Sequence, residues 1–218
     1  MEAVKIQNSP STQGPNPALK TRPAIYHFRG PTPFDRDIRA LHHKVYIEEL
    51  GYLGGPKNGA QVPSVHPESD LFVAYSGTQL IGTLEMIPAP SFDEPSHSAL
   101  IDELTSRKQG RVTVGSKLIV DPLYRGRLGS ELMKAAYRQG LENDVRYCVL
   151  ECYDHLVPLY EKFGFIKTGQ KTESLKYGAV NTLVLDYQDE GQFKVKRSPF
   201  LEILRSFKNQ ILTAKLLN

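Results

Sequence analysis

Cysteine is scarce: Cys148 and Cys152 are the only two among 218 residues. They lie four apart in one apolar run. In a strand that spacing puts them on one face but about 13 Å apart, too far for a disulfide, so they read as core thiols of a cytosolic protein. No stretch of about 18 apolar residues is present, which excludes a membrane-spanning helix, and no charged-then-apolar segment opens the chain as a signal peptide would. Charge of one sign is also in short supply. A net charge of +3 allows attraction to an acidic carrier or an anionic surface, but gives no footprint for nucleic acid. Metal-ligand spacing is absent: His42 and His43 are adjacent, and the cysteines have no histidines at zinc spacing, so no metal is expected. No internal repeat appears. Together these absences leave a cytoplasmic globular protein without metal or nucleic acid.

What is there begins with size and composition. With 40% hydrophobic and 23% charged residues, the chain is long enough for one domain with a sizeable core. Its organising stretch is 114–141, VGSKLIVDPLYRGRLGSELMKAAYRQGL. Leu118-Ile119-Val120 is a short branched run suited to a buried strand, and Asp121-Pro122 ends it, because proline has no N–H for a ladder. Arg125 to Ser130 then leads into a helix with Leu128, Leu132, Ala135, Ala136 and Leu141 at helical spacing. A strand, a turn with glycine and arginine, and a helix N-terminus form an anion site. The free N–H groups of the first turn, the helix dipole and two guanidinium groups favour a phosphate there. The plain alternative is an ordinary strand–turn–helix with solvated arginines.

Along the chain, residues 1–22 are polar and proline-rich and read as a disordered leader. A strand is expected at 25–28 and a helix at 36–50, capped by Asp35 and stopped by Gly51. Residues 54–68, rich in Gly, Pro and Ser, read as a mobile loop. The segments 70–75 and 79–87 form a hairpin around Ser76-Gly77-Thr78, followed by a short helix at 99–106 and a central strand at 111–120. Residues 147–153 make another buried strand. A helix opened by Pro158 and ended by Gly164 follows, then a strand from Phe165-Ile166 and a closing strand at 181–187. Ser198-Pro199 starts a last helix whose face carries Phe200, Leu204, Phe207 and Ile211. This helix could pack on its own domain, on a partner, or on an anionic membrane surface. The domains are therefore 1–22 leader, 23–190 main domain, and 191–218 basic linker with a C-terminal amphipathic helix.

Three motifs carry a resemblance. "IVDPLYRGRLGSELM" is similar to the acyl-CoA-binding motif of the GNAT N-acyltransferase superfamily, Arg/Gln-x-x-Gly-x-Gly/Ala after a strand end. Arg125 falls on its leading Arg/Gln and Ser130 on its last small residue, while Leu128 replaces the first glycine and Gly129 comes one place late. "HHKVYIEELGYL" resembles the signature of the branch that holds acyl-homoserine-lactone synthases, ornithine-lipid N-acyltransferases and long-chain N-acyl amino acid synthases. Val45, Tyr46, Glu48, Glu49, Gly51 and Tyr52 match, and His42 stands where that branch has arginine. "HLVPLYEKFGF" resembles the last GNAT motif and puts Tyr160 on the tyrosine that in many members protonates the departing thiolate.

The resemblance covers roughly 26–187 and implies an α/β fold, a GNAT-like mixed and splayed central sheet flanked by helices. It implies acyl transfer from a thioester to an amine, with a medium or long acyl chain and an amino-acid-like acceptor. The donor would be acyl-CoA or an acyl-phosphopantetheine on acyl carrier protein, a substrate and not a resident cofactor. Backbone groups of Leu118, Ile119 and Val120 would hold pantetheine and the thioester carbonyl. Arg125, Gly126, Arg127, Leu128, Gly129 and Ser130 would hold phosphate. Tyr160 would be the acid, and Glu85 or a water relay would take the amine proton. Tyr46, Tyr52, Asp70 and Lys117 would contact the acceptor, Lys117 matching an arginine of the branch. Glu85 replaces another arginine in "GTLEMIP", which implies that it faces an ammonium and favours a basic acceptor; the alternative is a solvent-facing strand position. An acetyl-CoA-dependent N-acetyltransferase is the second enzyme reading. A non-catalytic acyl-CoA-binding or interaction module is the reading from another class, since the family's glutamate is missing at Val114.

Overall fold

A computed structural model of the chain describes residues 4–6, 23–51, 65–92, 98–174 and 178–216. Its contacts divide it into two compact units, Met1–Ile87 with Ser116–Ala136, and Pro88–Gly115 with Tyr137–Asn218.

The first unit holds the strands β1 (Val4–Ile6), β2 (Ala24–Arg29), β3 (Asp70–Ser76) and β4 (Gln79–Pro88, but for its last residue), and the second half of β5 (Arg111–Val120). β1–β2, β2–β3 and β3–β4 pair antiparallel, with Phe72 opposite both His27 and Leu84. Gly77, at φ +61°, makes the tight β3–β4 turn that a side chain would strain. In β4 every residue from Leu80 to Ile87 is buried, so the alternation of a half-solvated strand does not apply and Glu85 is 0% exposed. The solvent-facing alternative for Glu85 is thereby corrected.

Between β2 and β3 lies α1 (Asp35–His42), which continues as a π-helix, His43–Glu49. Asp35 is the first helical residue and pairs with Arg39; the N-cap position is Phe34, with no side-chain cap, so the expected Asp35 cap is corrected. The wider π turn is closed by the Leu50 N–H donating to the Val45 carbonyl. It changes the face that the 3.6-residue period predicts: Ile38, Leu41, Val45 and Ile47 are buried, whereas Leu50 is 40% exposed. Ile38, Leu41 and Val45 pack with Phe28, Leu71, Val73 and Ile119 into one core cluster. α3 (Arg127–Glu142) begins in this unit after a 3₁₀ turn, Pro122–Tyr124.

The second unit holds α2 (Ser98–Ser106), the first half of β5, the end of α3, β6 (Val145–Cys152), α4 (Val157–Phe163), β7 (Ile166–Ser174), β8 (Gly178–Asp186), α5 (Glu190–Lys196) and α6 (Phe200–Leu216). β5 pairs parallel with β6 over Arg111–Gly115, and β8 pairs antiparallel with both β6 and β7. The strand order is β1-β2-β3-β4-β5-β6-β8-β7. Seven strands are legible in the sequence; the eighth is β1, inside the segment read as a leader, the rest of which lies outside the described residues.

α5 was not foreseen; the segment read as a basic linker forms it, with the Asp189 carboxylate accepting from the Gln192 N–H. Ser198 accepts from the Phe200 N–H at 3.1 Å, as its place before α6 predicts. Phe200 stacks on Tyr137 at 4.1 Å between ring centroids, and Leu204 is wholly buried. The start of α6 thus packs on its own unit, and no support emerges for a membrane or partner contact through this helix. Cys148 and Cys152 are free, buried thiols, as their spacing predicts; burial pushes them up to about 12 and about 11. Among the described residues no helix is long and apolar enough to cross a membrane.

Candidate active site

The organising stretch folds as a strand, a turn and a helix. β5 ends at Val120. The Asp121 N–H donates to the Ile81 carbonyl at 2.9 Å, and its carboxylate accepts from the Leu123 N–H at 3.0 Å and from Lys44 Nζ at 2.8 Å. Asp121 is therefore a hinge pin of the turn, buried with a partner on each carboxylate oxygen. Gly126 follows at φ +103°, a conformation that favours glycine, and α3 starts at Arg127. The N–H groups of Arg127, Leu128, Gly129 and Ser130 form its first turn, where helix geometry leaves them without intrahelical partners. Leu128 is buried. A Cβ on Gly82 would meet Leu132, the Ile119 carbonyl and Leu128 at 3.1–3.3 Å; this close approach of β4 explains a glycine at 82.

The two arginines of the turn are engaged. Arg125 makes a two-pronged ion pair with Glu49 of the π-helix, at 2.5 and 2.6 Å. Arg127 reaches Glu131 one turn along at 3.4 Å. With Lys44–Asp121, the π-helix is tied to the turn by two ionic contacts.

Lys117, in the middle of β5, has φ +52°, a left-handed conformation that costs a non-glycine residue about 1–2 kcal/mol. Two contacts hold it there. Its carbonyl accepts from Thr83 Oγ1 at 3.1 Å, and its Nζ donates to Glu85 Oε2 at 2.5 Å. Glu85 Oε1 accepts from the His66 N–H at 2.5 Å and from Ser69 Oγ at 2.8 Å. The ammonium that Glu85 was expected to face is thus the chain's own Lys117, and both carboxylate oxygens are occupied. Burial of a charge is tolerable on these terms, paired and fully hydrogen-bonded. His42, 1% exposed, completes the group with Nε2 2.9 Å from Thr83 Oγ1. Burial first, and the Lys117 charge second, lower its pKa to about 3, so the ring is neutral.

Asp70 Oδ1 lies 2.7 Å from His27 Nε2, and the His27 ring stacks on Phe72. Tyr46 is half-buried, its ring tilted against His42 at 6.1 Å between centroids. Tyr52, and most of the segment read as a mobile loop, lie outside the described residues; the end of that segment, Val65 and His66, packs and bonds in the first unit. In the second unit, Tyr160 of α4 is buried with its ring edge-on to Phe165 at 5.7 Å. Burial, then the Cys152 and Cys148 thiols, raise its pKa, so the hydroxyl keeps its proton at neutral pH. Among the described residues no group of three or more His, Cys, Asp or Glu side chains is placed to hold a metal ion.

Sequence reasoning missed Thr83, Ser69 and the His66 backbone, and noted His42 only as a departure from arginine. The spacing of Thr83 and Glu85, two apart in a strand, signals a shared face, but nothing local says that β5 supplies their partners.

Comparison with known proteins then fixes the family. The family model described as N-acyl amino acid synthase FeeM matches residues 37–185, more than half of the chain. No curated protein sequence matches. Among solved structures, FeeM, an N-acyl amino acid synthase from uncultured soil microbes, aligns with a TM-score of 0.61 and 16% identity over 84% of this chain and 99% of its own. Escherichia coli ElaA gives 0.53 and 15% over 74% and 98%. The CoA-dependent acyl-homoserine lactone synthase BjaI gives 0.52 and 18% over 75% and 82%. These likenesses carry the fold, a mixed α/β sheet of the GNAT kind. The strand, the turn and the buried pair therefore sit in an N-acyltransferase, and the chain belongs to the FeeM family of N-acyl amino acid synthases.

Proposed function

We propose that residues 23–190 transfer a medium or long acyl chain from acyl-CoA or an acyl-phosphopantetheine carrier to the amine of an amino acid. The observation that carries this reading is the register of β5. Its pairing with β6 covers Arg111–Gly115, and the strand then passes through the left-handed Lys117 into Leu118, Ile119 and Val120. Backbone N–H groups in that last stretch suit the amide-rich pantetheine arm and a developing oxyanion. The first turn of α3, after Gly126, suits the phosphate by its free N–H groups and its dipole.

The amine attacks the thioester carbon and forms the C–N bond. Collapse of the tetrahedral adduct breaks the C–S bond, and the thiolate takes a proton, the role that the family resemblance gives to Tyr160, whose hydroxyl keeps its proton. The amine proton leaves to water. Arg125 reaches the phosphate on releasing Glu49, and Asp70 and Tyr46 bound the acceptor. Glu85 is no base on this account, because its oxygens are held by Lys117, Ser69 and His66. BjaI is CoA-dependent by description, which supports testing free CoA esters beside carrier-bound ones. The experiment is incubation with acetyl-, octanoyl- and palmitoyl-CoA, or the same chains on acyl carrier protein, and an amino acid mixture. Free thiol together with an N-acylated amino acid is expected, with the longer chains preferred. Thiol release only from acetyl-CoA overturns the chain-length reading; no acylated product with any donor overturns the function.

A further inference from the structure

His42 has a lone pair with nowhere to go. Nε2 is 2.9 Å from Thr83 Oγ1, and Thr83 Oγ1 donates to the Lys117 carbonyl at 3.1 Å. A carbonyl can only accept and a hydroxyl has one proton, so both contacts are hydrogen bonds in one arrangement alone. The proton of Thr83 points to Lys117, and His42 donates from Nε2. The second ring nitrogen, Nδ1, is then unprotonated. It is a buried acceptor without a hydrogen-bond partner, on a side chain 1% exposed. Such an atom forfeits its hydration with nothing in return, an expense that a ligand can relieve.

The chemistry of the surroundings narrows the ligand. The other acceptors of the group, both oxygens of Glu85, are filled by Lys117, Ser69 and His66. Lys117 from β5 and, through it, Glu85 from β4 are the charged groups that face the ring, and the aromatic ring of Tyr46 lies against it. The Lys117 charge disfavours a protonated imidazole, so the lone pair is retained through the physiological range. The relay His42–Thr83–Lys117 ends on the residue just before Leu118, the start of the stretch proposed above for the thioester. A ligand that brings an N–H to Nδ1, with its own lone pair free for a carbonyl carbon, is a neutral primary amine.

We infer that Nδ1 of His42 is the hydrogen-bond acceptor that receives an N–H of the attacking amine and turns its lone pair toward the thioester. The inference rests on the acyl-transfer reading. It makes His42 a contact to the substrate's neutral form: the ring orients the amine and takes no proton. The acidic limb of kcat/KM then follows the ionisation of the acceptor and not of the enzyme. An arginine in this position, a donor only, could not do this.

Two measurements on the full chain separate the outcomes. In the first, ¹⁵N-histidine spectra read the tautomer without turnover. A neutral ring with the proton on Nε2, and an Nδ1 signal that moves on addition of the amino acid mixture with a non-hydrolysable acyl-CoA analogue, are expected. A ring protonated near neutrality, or an Nδ1 signal that the amine leaves unmoved, overturns the inference, the second result marking a buried water as the occupant. In the second, His42→Gln keeps an amide near Nε2 and removes the Nδ1 acceptor, whereas His42→Asn keeps an amide oxygen near Nδ1. Loss of one such hydrogen bond predicts about a 10- to 100-fold fall in kcat/KM for the amine in His42→Gln, a smaller fall in His42→Asn, and unchanged affinity for the donor. Wild-type activity with His42→Gln within twofold of it overturns the inference alone. Wild type inactive with every donor and amine overturns the function, and the spectra then decide His42 by themselves.

Discussion

At position 85 a carboxylate lies wholly out of solvent, and three donors make that tolerable. Removing one partner of a buried ion pair leaves an uncompensated charge, typically at a cost of 3–5 kcal/mol. Glu85→Gln should therefore lower the unfolding free energy by about 3 kcal/mol in urea titrations, and Glu85→Met with Lys117→Met should recover most of the loss. A fall below about 1 kcal/mol in the single variant would show that solvent, not Lys117, balances the carboxylate. Because Lys117 supplies the ammonium, the ranking of lysine, arginine, glycine and leucine as acceptors should be the same in wild type and in folded Glu85→Gln. The expectation of a basic acceptor loses its footing here. Tyr160 makes the opposite case. Its hydroxyl is buried and keeps its proton, so Tyr160→Phe should leave the fold and the donor affinity intact while turnover falls by roughly 10²–10⁴-fold, the range for a lost acid. Turnover within a factor of two of wild type would leave the tyrosine as packing.

Elements act here through their ends. The π-helix His43–Glu49 presents Lys44 and Glu49 to the turn after β5, where Asp121 and Arg125 receive them. Both partners of the Arg125–Glu49 pair are partly exposed, 46% and 32% at the side chain, so the pair adds little to stability. It matters for what Arg125 is free to bind. On the function proposed above, a donor phosphate and the Glu49 carboxylate compete for the same guanidinium fork. Arg125→Ala should weaken CoA binding by about 1–3 kcal/mol, the range for a charge-assisted hydrogen bond, and Glu49→Gln should strengthen it. Isothermal titration with CoA reads both. A Glu49→Gln that binds CoA no better than wild type would make the pair a tie between elements and remove Arg125 from the phosphate site.

For the whole molecule, the buried His42 couples the fold to pH. Its pKa is about 3 in the folded chain against 6.5 ordinarily. The unfolded chain therefore takes up the proton first as pH falls. The stability due to the neutral ring is present above about pH 6.5 and is lost progressively between 6.5 and 3. At 1.36 kcal/mol per unit, wild type should lose roughly 2–3 kcal/mol from this group between pH 7 and pH 4.5, a loss that His42→Gln should not show. Urea unfolding of both proteins at the two pH values checks it. An equal pH dependence would mean that water reaches the ring.

Local chemistry settled much of this protein in the sequence. The Asp121-Pro122 stop, Gly77 in its turn, Pro158 and Gly164 around α4, and Ser198 before α6 each act within a few residues, so the elements they bound were legible to within a few positions. The turn from Val120 to Ser130 was legible for the same reason. The π-helix was not, because apolar spacing reads the same until the hydrogen-bond register is known, and the inward face moved from Leu50 to Ile47. Nor could any local pattern tell which groups would meet inside. Glu85 finds Lys117 32 residues on, and His42 finds Thr83 across 41. The sequence by itself determined most of the elements, the family and the strand–turn–helix around Gly126. Only the tertiary structure decided that Glu85 is neutralised from within and that His42 keeps an open lone pair, because charge pairing and tautomer depend on which strands and helices lie side by side.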